Sequence, residues 1–268
     1  MKQKKLFQKL AAGVALFAMS ISMLSPVSVK AAEKISYPKT QVVYLPSKTG
    51  TGYTSIDVSN IPKSQTVLKV TSSKTSVVKP SDVSISTNEY TNTYFDKEMQ
   101  KYNSSSTSKY AYIYFDVRKA GTATISYRIG KSSKSYKEYK TKVTVKAYEN
   151  PIKSFTVTGL KDGKNLASAF KTSRSSYDSA NTLKKNQSNA KIKVTSATNW
   201  KITSLSFNNY ADDSRVYVRY PDNKGKSSIS LQAGTIKASA GGYVSIDLYN
   251  TKTGGTMNCY YRIAEKTK

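Results

Sequence analysis

The sequence predicts an all-β protein made of two tandem β-sandwich domains that follow a cleaved signal peptide. Three observations support this prediction. Apolar and polar residues alternate at period two over most of the chain, turn residues separate the alternating segments, and a stretch of the first half recurs in the second. Helical periodicity is almost absent, and short strands between turns favour a sandwich or barrel over an α/β fold.

The N-terminal 31 residues are typical of a secretory signal peptide. A basic start is followed by an apolar stretch at 10–24 and by the small-residue site VKA at 29–31. An uncleaved anchor is the alternative, but a spanning helix needs about 20 apolar residues and Pro26 interrupts this run. We therefore expect a secreted, extracellular protein. Because no LPxTG-type motif or apolar tail follows Ile263, we expect any cell-wall association to be non-covalent.

Strands are predicted wherever apolar residues alternate with polar ones. In the first half, the alternation is clearest at 110–117, 123–129 and 142–147, where Ile113 and Phe115 face inwards. In the second half, it is clearest at 191–195, 215–220, 244–248 and 259–263. The segments PDNKG at 221–225 and NTKTGG at 250–255 contain residues that favour chain reversal, which predicts two hairpin loops.

An internal repeat sets the predicted number of domains. The tripeptide VTS at 70–72 recurs at 194–196, and AGTATISY from Ala120 aligns with AGGYVSIDLY from Ala240. A repeat of this length is the size of one sandwich domain. The proline of Glu149-Asn150-Pro151 discourages a strand from continuing, so we place the boundary there.

The predicted organisation is therefore a signal peptide at 1–31, one sandwich at 32–149 and a second at 150–268. Two polar stretches interrupt the alternation. The first, at 86–109, predicts a long inserted loop with one helical turn at Asp96–Tyr102, and the second, at 161–190, predicts a similar loop.

Residues 66–148 resemble the group 2 bacterial immunoglobulin-like domains of invasin- and intimin-like surface proteins. The resemblance depends on VTSSKTSVV (70–78), KAGTATISYRIG (119–130) and the closing KVTVKA (142–147). It implies an immunoglobulin-like sandwich that serves adhesion, spacing or presentation at a cell surface, and it implies no catalytic residues. The loop at 86–109 departs from the family pattern. The second domain shares fewer of these features, and its assignment as immunoglobulin-like depends on the internal repeat.

The composition argues against an enzyme. Histidine is absent, which removes the commonest general base and transition-metal ligand. The adjacent pair Asp212-Asp213 would point to opposite sides of a strand, so it does not suggest a hydrolase or calcium site. Cys259 is the only cysteine and is predicted to be buried in a strand, without a disulfide. We predict no catalytic residue, no metal site and no cofactor.

The charge points to anionic partners. The chain has 43 Lys and Arg against 16 Asp and Glu, a net charge of +27, and loss of the five signal-peptide lysines would leave +22. Such a field attracts polyanions, and outside a cell these are wall polymers, acidic glycans or anionic membrane, with nucleic acid bound only non-specifically. A merely solubilising surface is the alternative.

The candidate ligand-binding residues are tyrosines and arginines predicted to face outwards, with spacings that suit sugar rings or phosphates. They are Tyr110, Tyr112 and Tyr114 on one strand, Arg215, Tyr217 and Arg219 on another, and Tyr136 and Tyr139 in the cluster SYKEYK. The alternatives are that the two strand faces are partly buried against loops or the other domain, and that SYKEYK is a solvated loop.

Three functions follow. The first is a non-catalytic envelope module that binds or spaces through anionic cell-wall or host glycopolymers. The second is a protein-binding adhesin or assembly subunit that uses sheet edges or the long loops. The third is a carbohydrate-binding accessory protein.

Overall fold

The computed structural model describes residues 34–95, 101–221 and 224–266. Residues Ile35–Lys268 form one compact unit. The described residues contain fifteen β-strands and two short 3-10 helices, at Lys161–Gly163 and Ala167–Phe170, and no α-helix. No helix within this part of the chain is long and apolar enough to span a membrane. The all-β prediction is confirmed, and the predicted signal peptide lies outside the described residues.

Seven strands belong to the first half of the chain and eight to the second. The first seven are β1 (Thr40–Tyr44), β2 (Gly52–Ile61), β3 (Thr66–Ser72), β4 (Val78–Phe95), β5 (Lys101–Val117), β6 (Gly121–Ser132) and β7 (Ser135–Lys146). The others are β8 (Ile152–Val157), β9 (Ser175–Ser176), β10 (Gln187–Ser196), β11 (Trp200–Asn209), β12 (Arg215–Arg219), β13 (Ser228–Ile236), β14 (Gly242–Asn250) and β15 (Thr256–Ile263).

One long sheet contains strands from both halves. Its order is β12-β11-β14-β15-β1-β7-β6-β3, and the short strand β9 adds to β15. Two three-stranded sheets, β2-β5-β4 and β13-β10-β8, contact the first-half and second-half parts of this sheet respectively. Strand β1 joins the two parts, because it pairs in parallel with β7 over five residues and with β15 at Val43 and Thr256. The predicted boundary at 149–151 remains a prediction.

The predicted alternation places apolar side chains between the layers. Ile113, Phe115 and Val117 of β5 are buried, and so are Ile125 and Tyr127 of β6. In the second half the buried set includes Ile192, Val194, Val244, Ile246, Leu248, Cys259, Tyr261 and Ile263. Alternate residues of a strand point to opposite faces, so these strands each present a polar face to solvent. Cys259 is fully buried and unpaired, as predicted.

The side chain of Trp200 lies where the two halves of the chain meet. It is 2% exposed, and its ring centroid lies 5.0 Å from that of Tyr44 in β1. The indole Nε1 donates a hydrogen bond to Glu149 Oε1 at 2.8 Å, and Asn250 Nδ2 donates to the same oxygen at 3.2 Å. The Tyr44 hydroxyl also shares a hydrogen bond of 2.9 Å with Thr253 Oγ1. These contacts connect β1 and the segment after β7 to the second half.

The stretch at 86–109 is strand and not loop where the structure describes it, at 86–95 and 101–109. Strands β4 and β5 stay paired from Val78 and Val117 outwards to Phe95 and Lys101, whereas β2 leaves the sheet near Lys109. The outer part is therefore a two-stranded ribbon. Its Ser, Thr and Asn residues provide no apolar alternation, but pairing across the ribbon satisfies the backbone groups that face the partner strand and leaves those on the outer edges to solvent. The predicted helical turn is wrong at residues 101 and 102, which are strand residues, and otherwise lies outside the described residues.

Two further predictions differ from the structure. The segment 161–190 contains both 3-10 helices and the short strand β9 rather than only loop. The segment 221–225 does not close a hairpin, because it leads from β12 in the long sheet to β13 in a three-stranded sheet. Its turn residues predict a reversal but do not determine which sheet the next strand joins. The loop at 250–255 does connect the hairpin strands β14 and β15, as predicted.

Buried phenols and the buried thiol should make the folded state less stable in alkali. Burial raises the pKa of Tyr127 and of Cys259 to about 12 and raises the pKa of Tyr148 and Tyr261 above the usual range. The folded state holds these protons more tightly than the unfolded state does. The contribution of these groups to stability is therefore fully present below the unfolded pKa values of 9.0 and 10.0, and it is lost as the pH rises from those values towards the folded values of about 12.

We expect the free energy of unfolding to fall by about 2 kcal/mol between about pH 8 and about pH 10. Urea unfolding followed by far-UV circular dichroism measures this. The variant Cys259→Ala should lose less stability over the same interval, because it lacks the group with the lowest unfolded pKa. Stability that stayed constant or rose with pH would contradict the expected linkage.

Candidate functional site

One polar surface of the long sheet consists of three rows of residues that run across four strands. Registered neighbours in a sheet point to the same side, so the pairing of β12, β11, β14 and β15 defines the rows. They are Arg215–Asn208–Tyr243–Arg262, Tyr217–Ser206–Ser245–Tyr260 and Arg219–Ser204–Asp247–Asn258. We call these twelve residues the arginine–tyrosine face. Their strand neighbours Phe207, Val244 and Tyr261 point into the core, which is why the rows face outwards, although Ser206 in the middle row is itself buried.

The predicted residues Arg215, Tyr217 and Arg219 lie at the open edge of this face. All three are exposed, and Tyr217 has 64% of its surface accessible. The Arg215 guanidinium lies 5.8 Å from the centre of the Tyr217 ring. Neither arginine forms a salt bridge with any residue that the structure describes. The alternative, that this strand face is partly buried against loops or the other domain, is therefore wrong for these three residues.

The far side of the face contains stacked tyrosines. The rings of Tyr243 and Tyr260 stack with centroids 5.2 Å apart and an interplanar angle of 24°. Burial, followed by the neighbouring phenol of Tyr177, holds the pKa of Tyr243 above its usual range. Burial also raises the pKa of Tyr260, although the nearby Arg174 opposes that shift. Both phenols therefore remain protonated hydrogen-bond donors at physiological pH.

A second aromatic surface lies on the sheet β2-β5-β4. The ring of Tyr53 in β2 stacks on that of Tyr114 at 5.1 Å and 10°, and Tyr112 follows at 6.3 Å and 25°. We call Tyr53, Tyr114 and Tyr112 the tyrosine ladder. Tyr53 is 55% exposed and Tyr112 is 37% exposed, whereas Tyr114 and Tyr110 are half-buried. The outward orientation predicted for this strand is correct.

The last two predicted residues do not join either surface. Residues 135–140 are part of strand β7 and not a loop, so Tyr136 and Tyr139 point to opposite faces. The Tyr139 ring packs inside against Tyr37 at 5.2 Å and Tyr127 at 6.0 Å. The Tyr136 ring is 40% exposed and lies 4.4 Å from the Arg128 guanidinium.

A cleft separates the arginine–tyrosine face from the tyrosine ladder. It has a volume of about 460 Å³, and we call it the seam cleft because it lies where β1 and β15 diverge. Residues of both surfaces and of both strands at the seam line it, among them Gln41, Tyr53, Arg174 and Asn258. A smaller hollow of about 260 Å³ beside Arg219 and Asp247 shares Thr256, Met257 and Asn258 with the cleft. The two hollows therefore lie next to each other along β15.

Two amide oxygens at the seam cleft have no hydrogen-bond donor among the residues that the structure describes. They are Gln41 Oε1 and Asn258 Oδ1, and both atoms are buried. Gln41 Nε2 donates to the Ser55 carbonyl at 3.0 Å, and Asn258 Nδ2 donates to Ser245 Oγ at 3.2 Å and to Asp247 Oδ1. These bonds orient each amide, so the unsatisfied atom is the oxygen. An unsatisfied buried acceptor costs about 1–3 kcal/mol.

Six residues of this region were not predicted from the sequence: Tyr53, Arg174, Tyr243, Asn258, Tyr260 and Arg262. A signal for four of them was present, because Tyr243 alternates with buried Val244, and Asn258, Tyr260 and Arg262 alternate with buried Cys259, Tyr261 and Ile263. Tyr53 and Arg174 lie near these residues only through long-range strand pairing. Asp212 and Asp213 lie in a turn, where Asp212 Oδ1 accepts a hydrogen bond from the Ser214 amide at 3.0 Å. A hydrogen bond with the Ser214 side chain, followed by the one from the Ser214 amide, lowers the pKa of Asp212. No metal-binding cluster of acidic residues or cysteine occurs in the described part of the chain.

No protein-family model and no curated protein sequence matches this chain. Among solved structures, tandem Ig repeats of Dlar are 10% identical, with 88% of this chain and 98% of that chain covered and a TM-score of 0.26. The adhesin InvE of Yersinia pseudotuberculosis is 10% identical, with 86% and 58% covered and a TM-score of 0.20. The C-terminal domain of the AgI/II polypeptide BspA of Streptococcus agalactiae is 9% identical, with 84% and 95% covered and a TM-score of 0.19.

This chain spans just over half of the InvE chain that it matches. The TM-scores are too low for these similarities to separate one family of β-sandwiches from another. The assignment to group 2 bacterial immunoglobulin-like domains therefore remains a prediction.

Proposed function

We propose that this protein is a secreted, non-catalytic module of immunoglobulin-like type that binds an anionic glycopolymer through its arginine–tyrosine face. The supporting observation is the distribution of arginine. The chain has only six arginines, and three of them, Arg215, Arg219 and Arg262, belong to this one face. A fourth, Arg174, is close to it, because its carbonyl accepts a hydrogen bond from the Tyr260 amide.

The chemistry of the face suits such a polymer. A guanidinium donates two parallel hydrogen bonds to a phosphate or carboxylate, and the arginines here have no acidic partner within the described residues. Exposed aromatic rings pack against the apolar side of sugar rings, and the hydroxyls and amides between them offer polar contacts. The dispersed lysines add a long-range attraction that raises the association rate.

The variant Arg215→Ala/Arg219→Ala should bind purified cell walls about tenfold more weakly than the unmodified protein, because two charged contacts of about 0.7 kcal/mol each are lost. The matched control is Lys191→Ala/Lys193→Ala, which removes the same charge from the exposed side of β10. The control should change binding by less than about threefold, because dispersed surface charge acts weakly at physiological salt. Cosedimentation with the walls measures both.

Salt provides a second test of the same proposal. Binding should weaken strongly when sodium chloride rises from about 50 to about 500 mM, since exposed charges are screened over a shorter distance. Equal losses in the two double variants would contradict a dedicated arginine–tyrosine face. Binding that resisted salt would instead favour the alternative of a protein-binding adhesin.

A further inference from the structure

The seam cleft is produced by a change of partner along β15. Thr256 pairs with Val43 of β1, and Tyr260 pairs with Ser175 of β9. Asn258 lies between these two pairings and belongs to neither. The Arg174 amide donates a hydrogen bond to the Pro46 carbonyl at 2.8 Å. This bond connects the segment after β1 to the segment before β9 on the far side of the gap. The cleft therefore lies at a gap in the long sheet, between the residues where β15 pairs with β1 and those where it pairs with β9. Its volume is in the range typical of ligand sites.

The groups around this gap discriminate between kinds of ligand. Gln41 Oε1 and Asn258 Oδ1 are hydrogen-bond acceptors without donors, on two different strands. A simple phosphate or sulfate offers almost only acceptors and does not satisfy them, whereas a sugar ring offers several hydroxyl donors. Both oxygens are covered in the structure, so each side chain must rotate slightly to meet a hydroxyl group. That rotation stretches the hydrogen bonds that the amide nitrogens donate, and the new bond to an otherwise unsatisfied acceptor offsets this loss.

One charged group and one aromatic ring complete the cleft. Arg174 lines it, is half-buried and forms no salt bridge with a described acidic residue. The Tyr53 ring stands at the other end and is held by its stack on Tyr114. A guanidinium without an acidic partner in a partly desolvated site favours a ligand that has an anionic substituent.

We infer that the seam cleft is a subsite for one hydroxyl-rich sugar ring with an anionic substituent, in which Gln41 and Asn258 accept its hydroxyl groups and Arg174 pairs with its charge. This inference rests on the proposed function and narrows it to acidic sugars. The polymer would lie across the arginine–tyrosine face, and one ring would enter the gap beside Asn258. The tyrosine ladder would then contact the next part of the chain.

The test uses the protein without its predicted signal peptide, residues 32–268, and three probes. They are a tetramer of galacturonic acid, the same tetramer as its neutral methyl ester, and inorganic phosphate. Isothermal titration calorimetry should detect saturable binding of the acidic tetramer, binding of the methyl ester weakened at least tenfold, and no saturable binding of phosphate. Phosphate that bound as well as the tetramer would overturn the inference, because the unsatisfied oxygens would then play no role.

Variants locate the binding. Gln41→Met and Arg174→Gln should each weaken binding of the acidic tetramer at least tenfold, and Tyr53→Ala, on an exposed residue, provides a third variant that leaves the core intact. Far-UV circular dichroism and thermal unfolding establish that each variant is folded. If all three folded variants bind the tetramer as tightly as the unmodified protein, the subsite is wrong.

The two proposals fail in distinguishable ways. If the tetramer binds but only Arg215→Ala/Arg219→Ala weakens it, the glycopolymer function stands and the cleft is not the subsite. If the unmodified protein neither binds the tetramer nor loses wall binding in Arg215→Ala/Arg219→Ala, both proposals are wrong. If wall binding behaves as proposed and the tetramer does not bind, the acidic-sugar subsite alone is overturned.

Discussion

Replacement of Trp200 by alanine should lower the free energy of unfolding by about 3–5 kcal/mol. The side chain is 2% exposed and packs on Tyr44, so its removal leaves a cavity between the first and second halves of the chain. Glu149 also loses its shorter hydrogen bond, from Trp200 Nε1 at 2.8 Å, and retains the one from Asn250. A loss of this size is a large part of the usual 5–15 kcal/mol for a folded protein.

Urea unfolding followed by far-UV circular dichroism measures this loss without depending on tryptophan fluorescence. The matched variant Trp200→Phe keeps most of the ring volume and removes the indole donor, so we expect it to cost about 1–3 kcal/mol. The exposed variant Tyr217→Ala should change stability by less than about 0.5 kcal/mol. If Trp200→Ala cost no more than Tyr217→Ala, the packing described at the junction would be incorrect.

Replacement of Gly241 by alanine should lower the free energy of unfolding by about 3 kcal/mol or more. The residue has φ of 70°, which L-residues adopt at a cost of roughly 1–2 kcal/mol. A Cβ atom there would lie 2.1 Å from the carbonyl oxygen of Ile263. That carbonyl belongs to the residue paired with Gly242, so relief of the clash requires movement of the β14–β15 backbone.

Gly163 provides a matched control for this prediction. Its φ is 74°, and a Cβ atom there would have no heavy atom within 4 Å. Gly163→Ala should therefore cost only the conformational part, about 1 kcal/mol. The difference between the two variants, measured by urea unfolding, isolates the effect of the close backbone approach. Equal losses would mean that the Ile263 carbonyl moves freely.

Local alternation was sufficient to predict which side chains of the main strands point into the core. Ile113, Phe115 and Ile125 were predicted to face inwards and are fully buried, because period-two spacing places alternate side chains on one face. The ribbon at 86–109 was missed since its pairing depends on backbone hydrogen bonds and polar β-forming residues, and neither produces an apolar pattern. The hairpin at 250–255 was correct and that at 221–225 was wrong, although both have similar turn residues.

The candidate site was predicted only in part for the same reason. The outward orientation of Arg215, Tyr217 and Arg219 follows from the alternation of one strand. Their position opposite Ser204, Ser206 and Asn208 in β11 depends on strand order, which single-strand patterns do not contain. Tyr139 was misplaced because SYKEYK was not recognised as a strand, and the ring packs against Tyr37 from a distant segment.

The sequence by itself therefore determined the all-β class, the positive charge, the absence of histidine and the inward or outward orientation of residues on the main strands. These properties depend on composition and on spacing of two residues, which are local. Only the tertiary structure placed Arg174, Gln41 and Asn258 around one cleft, through the parallel pairing of β1 with β7 and the change of partner along β15. Those pairings join residues more than 80 positions apart, and their choice depends on how whole sheets pack.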